Sequence, residues 1–175
     1  SAASDVYKRQ SVSTAKLDAL SDILDTMLTE DRKLVIMARF VPELNEIQKL
    51  LEQKQIGYAA VRGGISDRAE EIRRFQEDAE CRVFVGQIAA AGLGITLTAA
   101  STMVFYSLDY SMSNFEQAKA RIHRVSQTEN CLYIYLIAKN TVDAKILHSL
   151  RDKVDLARTL VDDYRNGMNP FQEGV

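Results

Sequence analysis

The segment QAKARIHRVSQ, which starts at Gln117, is the densest group of polar side chains in this sequence. On an α-helix with about 100° per residue, Gln117, Arg121 and Arg124 lie within roughly 60° of one another, and the two guanidinium groups would project side by side. No Asp or Glu occurs between Glu116 and Glu129, so the pair has no carboxylate neighbour at helical spacing. Planar guanidinium groups bind phosphate through paired N–H donors. From its spacing alone, such a pair usually belongs to a solvated helix face, and it is the absence of local carboxylates that points to a phosphate as its partner.

A glycine-containing loop, AAAGLGIT, precedes that segment and is the second candidate site. Glycines at positions 92 and 94 allow positive φ angles and close approach of a ligand, and successive backbone N–H groups can surround an anion. The loop has no Gly-Lys-Ser/Thr ending and is not a Walker A motif. Tight packing between a strand and its loop is the alternative explanation for both glycines.

Both candidates lie between apolar runs that alternate with amphipathic segments. Continuous apolar runs bounded by charge are typical of strands buried on both faces of a parallel sheet. We predict strands near 33–38, 58–61, 81–85, 102–106 and 131–138, and helices near 17–31, 42–56, 66–75, 114–124 and 141–164. This alternation predicts an α/β fold, a three-layer αβα sandwich with a parallel sheet of at least five strands. We expect Arg121 and Arg124 to be exposed at one edge of it.

In such sheets, ligands bind beyond the carboxyl ends of the strands. The segments that follow the predicted strands are polar or rich in glycine, as a binding edge requires. They are Arg39-Phe40, Arg62-Gly63-Gly64, Gly86–Thr96, Ser107–Ser113 and Lys139-Asn140.

Composition limits the domain count and the class of protein. With 175 residues, 46% hydrophobic and 26% charged, the chain suits one domain with a substantial core, and a net charge of −2 gives no sign of bulk nucleic-acid binding. We expect a domain over residues 14–165, a frayed tail or appended remnant at 1–13, and a flexible tail at 166–175.

Location is predicted from cysteine usage and from the absence of targeting signals. Cys81 and Cys131 are far apart without metal-ligand spacing, which excludes a disulfide scaffold and a sequence-evident zinc site. No secretory signal opens the sequence. The uncharged run Val83–Leu108 is long enough for a membrane span, but its glycines, threonines and two short β-rich pieces argue against one. We expect an intracellular protein, cytoplasmic or nucleoid-associated, with no membrane partner.

Four segments together resemble the Swi/Snf-type superfamily 2 helicases. The last conserved motif of that family runs Gln-Ala-x-Asp-Arg-x-His-Arg-x-Gly-Gln, and Gln117–Gln127 is similar to it. The other segments with family counterparts are Gly92–Ala100, Leu34–Phe40 and Asn140–Ile146, and the match runs in order from about Leu17 to Tyr164. The sequence departs from the family pattern at Thr96, Ala120 and Ser126.

The resemblance implies the second RecA-like lobe of an ATP-dependent DNA helicase or translocase. By the family pattern, Arg121 and Arg124 are catalytic arginine fingers; the cofactor-binding residues are Gly92, Gly94, Thr96 and Gln117; the nucleic-acid-binding residues are Arg39, Gly64 and Gln87. ATP and Mg²⁺ would be held mainly by the first lobe, because neither Gly-Lys-Thr nor Asp-Glu-x-His occurs in this sequence. The implied partners are that first lobe and DNA, possibly RNA, and the lobe alone should not hydrolyse ATP.

Two other functions stay open at this point. The same scaffold could serve as a nucleic-acid-binding module or as a protein-interaction module without motor activity. The arginine pair without a local acid favours the motor, since an interaction surface has no need of two unneutralised guanidinium groups side by side.

Overall fold

The computed structural model describes residues 2–63, 67–139 and 141–165, with the backbone alone at 2–13, 91–93 and 163–164. Strands and helices alternate along the described chain as the apolar pattern predicts. The helices are α1 Ala2–Thr29, α2 Val41–Gln53, α3 Arg68–Glu77, α4 Met112–Lys119 and α5 Val142–Arg165. The strands are β1 Leu34–Ala38, β2 Gly57–Val61, β3 Cys81–Gln87, β4 Thr102–Phe105 and β5 Leu132–Tyr135, and a 3₁₀ helix spans Ile88–Leu93.

The strands form one sheet in the order β2-β3-β1-β4-β5, and each neighbouring pair is parallel. Successive strands in the chain are joined by helical crossovers or by the 3₁₀ segment, which is the connection that parallel pairing requires. The carboxyl ends of β1, β3 and β4 therefore lie next to one another in the middle of the sheet.

Two hydrophobic clusters cover the two faces of this sheet. Side chains alternate along β1: Leu34, Ile36 and Ala38 pack with α1 and α2, whereas Val35 and Met37 pack with α3, α4 and α5. All five β1 residues are buried, as expected for a central strand covered on both faces. The three-layer αβα sandwich predicted from the sequence is confirmed.

The first helix begins much earlier than Leu17, the start expected from its apolar stripe. Its backbone is helical from Ala2, and the segment 2–13 contains no glycine or proline that would interrupt it. The assignment of residues 1–13 to a tail or appended remnant, like the domain limits, stays a prediction. Residues 166–175, expected to form a tail, lie outside the described residues.

The helix that should carry the arginine pair is shorter than predicted. It ends at Lys119 with Ala120 as its C-cap, not at Arg124. The N–H groups of Arg121 and Ile122 bond to carbonyls three residues back, at 3.0 and 3.3 Å, which tightens the chain into turns. The Arg121 carbonyl instead accepts from the N–H of Leu97 at 2.9 Å. Gln117, Arg121 and Arg124 therefore do not share a helix face, and that expectation was wrong.

None of the described helices combines the length and the apolar character needed to cross a bilayer.

Candidate functional site

Arg121 and Arg124 converge on one backbone carbonyl although they lie in a turn. Arg121 Nη1 donates to the carbonyl oxygen of Ile95 at 3.4 Å, and Arg124 Nη2 donates to the same oxygen at 3.1 Å. Arg124 is exposed, but Arg121 is only 8% exposed, so the prediction that both guanidinium groups lie at the surface is wrong for Arg121. The turn after α4 folds its side chain inward, beside the loop that carries Ile95.

The charge of this pair is not balanced within the described part of the chain. Neither arginine forms an ion pair with a described carboxylate, and Nε of Arg121 is buried without a hydrogen-bond partner. Burial and, to a lesser extent, the neighbouring charge of Arg124 lower the pKa of Arg121. An anion placed between the two guanidinium groups would offset their charges and relieve the repulsion.

The glycine loop contacts the arginine pair through Ile95 and contributes Thr96 to the neighbouring pocket. Gly92 lies in the 3₁₀ helix, and Gly94 ends that helix with φ of +73°, a conformation that favours glycine. Thr96 is half-buried two residues later and lines an open pocket of about 650 Å³ with Ala120, Arg124 and three more residues of the turn. The remaining lining residues are His123, Val125 and Ser126. Gln117 is held on α4 by a 3.1 Å bond from its Nε2 to Ser113 and does not line this pocket.

One glutamine fixes the turn to the loop. Gln127 Nε2 donates to the carbonyls of Thr98 at 3.3 Å, Ala100 at 2.8 Å and Ile122 at 3.1 Å. The sequence placed Gln127 in the arginine motif without giving it a role. Its amide positions the loop and the turn against each other, and the only sequence signal for this role is its place in the motif.

The predicted nucleic-acid residues meet at the carboxyl ends of neighbouring strands. Gln87, which ends β3, donates from Nε2 to the carbonyl of Arg39 at 3.2 Å, immediately after β1. The N–H of Arg39 donates to Ser107 Oγ at 2.7 Å, just beyond β4, and Ser107 Oγ donates to the carboxylate of Glu43. Arg39 and Gln87 are thus brought together, whereas Gly64 lies outside the described residues.

Two exposed aromatic rings flank Arg39, and sequence reasoning did not single them out. The guanidinium carbon lies 4.9 Å from the ring centre of Phe40 and 5.9 Å from that of Tyr110. Phe40 is 50% exposed and Tyr110 43% exposed, so the arginine and its rings form a cationic, aromatic surface. Both rings lie in segments that the sequence places at the binding edge, after β1 and after β4, but no sequence signal assigned either ring a role.

The two groups of residues are joined by a short piece of backbone. The 3₁₀ helix Ile88–Leu93 leads directly from Gln87 beside Arg39 to Gly94 beside the arginine pair. Within the part of the chain that the structure describes, no group of three His, Cys, Asp or Glu side chains is placed to hold a metal ion.

A five-stranded parallel sheet covered by helices on both faces, with an arginine pair that no described carboxylate neutralises, defines a RecA-like lobe. Residues 15–126 match the family described as "Helicase conserved C-terminal domain", and the chain belongs to that family.

Individual proteins are similar over most of this chain. A SWI/SNF-related matrix-associated actin-dependent regulator of chromatin, subfamily A-like protein 1, of Drosophila melanogaster is 34% identical over 81% of the chain. The chromatin-remodeling ATPase INO80 of Arabidopsis thaliana is 33% identical over 80% of it. The chain spans only 19% and 9% of the lengths of these two relatives.

A solved structure supports the fold assignment. The C-terminal part of the Fun30 ATPase domain is 28% identical with a TM-score of 0.74, over 77% of this chain and 44% of the other. The family resemblance and the fold class drawn from the sequence are confirmed.

Proposed function

We propose that this lobe completes the ATPase site of a Swi/Snf-type DNA translocase by placing Arg121 and Arg124 against the phosphates of ATP held by a first lobe. The observation that carries the proposal is the buried Arg121 guanidinium, whose Nε has no described partner and whose charge no described carboxylate offsets. A buried cation without a counter-charge is costly, and the neighbouring Arg124 lines an open pocket, so the pair points to an anionic ligand.

The two arginines act as a pre-organised pair. The Ile95 carbonyl holds both guanidinium groups before the nucleotide arrives, so little reorganisation is needed when charge develops on the transferring phosphoryl group. Thr96 lines the pocket, and we assign Gly92, Gly94 and Gln117 to nucleotide contact only through the family pattern. Mg²⁺, when bound, offsets phosphate charge, and we assign its ligands and most of the triphosphate contacts to the first lobe.

Arg39 and Gln87 fit a track for the nucleic-acid backbone. Arg39 presents a charged group beside exposed rings at the middle of the sheet edge, and Gln87 fixes the backbone of Arg39. We place Gly64 on the same track by resemblance. Chromatin in the names of the relatives favours DNA over RNA as the substrate. It also favours a nuclear location over the cytoplasmic or nucleoid-associated location that we expected from the sequence.

The test uses the parent protein with both lobes and measures steady-state ATPase activity against DNA concentration. Arg121→Ala and Arg124→Ala should each lower kcat by about 10³-fold, because the guanidinium groups meet charge that develops only as the phosphoryl group leaves. Lysine at either position should rescue poorly, since a point charge does not reproduce the planar fork. Arg39→Ala should instead raise the DNA concentration needed for half-maximal activity.

The matched control is Arg73→Ala, which removes an exposed arginine paired with Glu70 and Glu77 on α3. It should leave kcat and DNA dependence unchanged. Melting temperatures of all variants separate a lost finger from a lost fold. An unchanged kcat for a folded Arg124→Ala protein would contradict the finger assignment and leave a binding module as the better description.

A further inference from the structure

Helix α5 extends well beyond the core that it helps to form. Ile146 and Leu150 are buried at 1% and 3% exposure, but none of the described side chains after Leu150 is buried. Val161, more than two turns further on, is 49% exposed. Four turns of a regular helix therefore leave the domain with an uncovered surface.

That surface carries a coiled-coil pattern. Apolar residues recur at alternating spacings of three and four: Leu147, Leu150, Val154, Ala157 and Val161. This is the seam of a helix that packs lengthwise against another helix, and its first members already contact the core. The stripe continues the packing face of α5 into solvent.

The stripe forms one wall of a groove, and α4 forms the other. Two adjoining cavities of about 610 and 320 Å³ share Met112, Glu116 and Lys119 from α4 with Val154 and Arg158 from α5. We refer to the surface lined by these residues, together with Leu147, Leu150, Arg151, Ala157, Val161 and Arg165, as the α4–α5 groove. At about 1.5 Å per residue, the stretch 147–165 is about 27 Å long, room for a helix of several turns.

Arginines line one side of the apolar stripe at the same place in each heptad. Arg151, Arg158 and Arg165 are seven residues apart, and none of them forms an ion pair with a described carboxylate. Lys153 lies on the other side of the stripe, and Glu116 in the groove is already paired with Lys119 at 2.7 Å. Asp155 and Asp162 are the negatively charged lining residues besides Glu116. The unpaired charges of the groove are therefore mainly positive.

These charges decide which occupant fits. A second copy of α5 would place the arginines against one another in an antiparallel pair, or against Lys153 in a parallel pair, and either arrangement is repulsive. A nucleic-acid backbone would use the arginines, but it would leave the apolar stripe without a partner and would meet Asp155 and Asp162. An amphipathic helix with an acidic flank satisfies the apolar stripe and the arginines together.

We propose that the α4–α5 groove is a docking site for an acidic amphipathic helix, with apolar residues at its heptad a and d positions and Glu or Asp facing Arg151, Arg158 and Arg165. This surface is separate from the pocket that Arg124 lines and shares no lining residue with it. Docking requires neither ATP nor nucleic acid, so it stands or falls independently of the proposed motor function.

The test measures binding of a fluorescein-labelled peptide of about three heptads, with Leu at a and d and Glu at e and g, to the whole chain by anisotropy. The chain should bind this peptide, and the triple variant Arg151→Glu/Arg158→Glu/Arg165→Glu should bind it at least about tenfold more weakly. The same triple variant should gain affinity for the matching peptide with Lys at e and g. Val161→Asp places a charge in the apolar stripe. It should weaken binding of the Glu peptide to the chain and of the Lys peptide to the triple variant.

Two control variants lie on other faces of the same helix. Lys145→Glu changes an exposed charge, and Leu156→Asp alters a side chain that is 61% exposed and does not line the groove. Neither should change peptide affinity. Absent binding, or equal effects of the control and groove variants, would overturn the proposal. A dimer of the chain in sedimentation that Val161→Asp disrupts would also overturn it. Duplex DNA that displaces the peptide would do so too, if that displacement depends on the three arginines and is unaffected by Val161→Asp.

Discussion

The carbonyl oxygen of Ile95 accepts hydrogen bonds from two charged side chains. Two guanidinium groups donate to it, so the folded chain retains the repulsion between them. The lowered pKa of Arg121 has burial as its larger cause and the charge of Arg124 as its smaller one. Residues that conflict with local stability in this way are expected at sites whose ligand removes the conflict.

Gln127 should matter for stability more than its exposed surroundings suggest. Gln127→Ala leaves the carbonyls of Thr98, Ala100 and Ile122 without their common donor, and we expect the free energy of unfolding to fall by about 1–3 kcal/mol. Gln127→Glu should cost at least as much, because it sets a carboxylate oxygen against these carbonyls. Urea unfolding followed by circular dichroism measures both losses.

The control for this prediction is Gln53→Ala, which removes an exposed glutamine in the last residue of α2. It should leave the urea midpoint nearly unchanged. If Gln127→Ala behaves like Gln53→Ala, the amide does not hold the loop to the turn.

At the residue scale, the sequence predicts which side chains meet when regular geometry brings them together. Arg39 and Gln87 meet because adjacent parallel strands end at the same edge, a rule that needs only the strand positions. The bonds of Gln127 reach carbonyls up to 29 residues away in an irregular loop, so no local pattern predicts them. The buried position of Arg121 escapes prediction for the same reason, since it depends on how the turn folds.

Edge strand β2 is protected by side chains of the helix that follows it. The carboxylate of Glu71 accepts from the N–H of Ala60 at 2.8 Å, and Arg74 donates to the carbonyl of Tyr58. Glu71 and Arg74 are themselves paired at 2.9 Å. These contacts occupy backbone groups that an edge strand otherwise presents to other chains.

Removing this cover should cost stability and promote association. Glu71→Ala leaves the Ala60 N–H without its acceptor, and we expect a loss of about 1–3 kcal/mol in urea unfolding together with faster thioflavin T-positive aggregation. Glu70→Ala is the matched control, because the described ion pair of Glu70 is with the exposed Arg73 and not with β2. Equal behaviour of the two variants would show that β2 does not depend on this cover.

Strand β5, at the other edge, is tied to α4 through Tyr133. Its hydroxyl donates to the carbonyl of Lys119 at 3.3 Å, and burial, followed by interactions with Cys131, raises the pKa of Tyr133 to about 12. A folded-state pKa above the unfolded value of about 10 favours the neutral phenol in the folded chain. The resulting stability is fully present below pH 10 and is lost as the pH rises towards 12.

Stability should therefore fall between about pH 10 and pH 12, and Tyr133→Phe should make that fall shallower. Burial also raises the pKa of Tyr58 to about 12, so the Tyr58→Phe/Tyr133→Phe variant should show a shallower fall still. Denaturant midpoints across this range, compared with the unsubstituted chain, provide the measurement. If neither variant changes how steeply the denaturant midpoint falls with pH, the loss of stability at alkaline pH comes from other groups.

At the scale of elements, apolar periodicity predicts position and type well and predicts ends less well. The five strands lie where apolar runs predict them, and the signal is fullest in the central strands β1, β3 and β4, in which nearly every residue is buried. The predicted end of α4 was wrong. Residues 120–124 include good helix formers, but the carbonyl of Arg121 accepts from the N–H of Leu97 instead of from the next turn of a helix. Tertiary hydrogen bonds outweighed local propensity there.

The three layers of the molecule meet in one buried ion pair. Lys16 of α1, on one face of the sheet, pairs with Asp143 in the first turn of α5, on the other face. Lys16 Nζ also donates to the carbonyl of Tyr106, immediately after β4, at 3.0 Å. With Lys16 8% and Asp143 6% exposed, the contact links both helical layers to the carboxyl edge of the sheet.

Breaking one side of this pair should cost far more than removing both. Asp143→Ala leaves a buried ammonium group without its counter-charge, and we expect the free energy of unfolding to fall by about 3–5 kcal/mol. Lys16→Met/Asp143→Leu removes both charges and should recover most of that loss. The coupling from the double-mutant cycle should change little with salt, because the pair is screened from solvent.

The exposed pair of Lys54 with Asp25, which is 64% exposed, is the control and should give about 0–1 kcal/mol. A Lys16–Asp143 coupling as small and as salt-sensitive as that control would mean that α1 and α5 are held to the sheet edge by apolar packing alone.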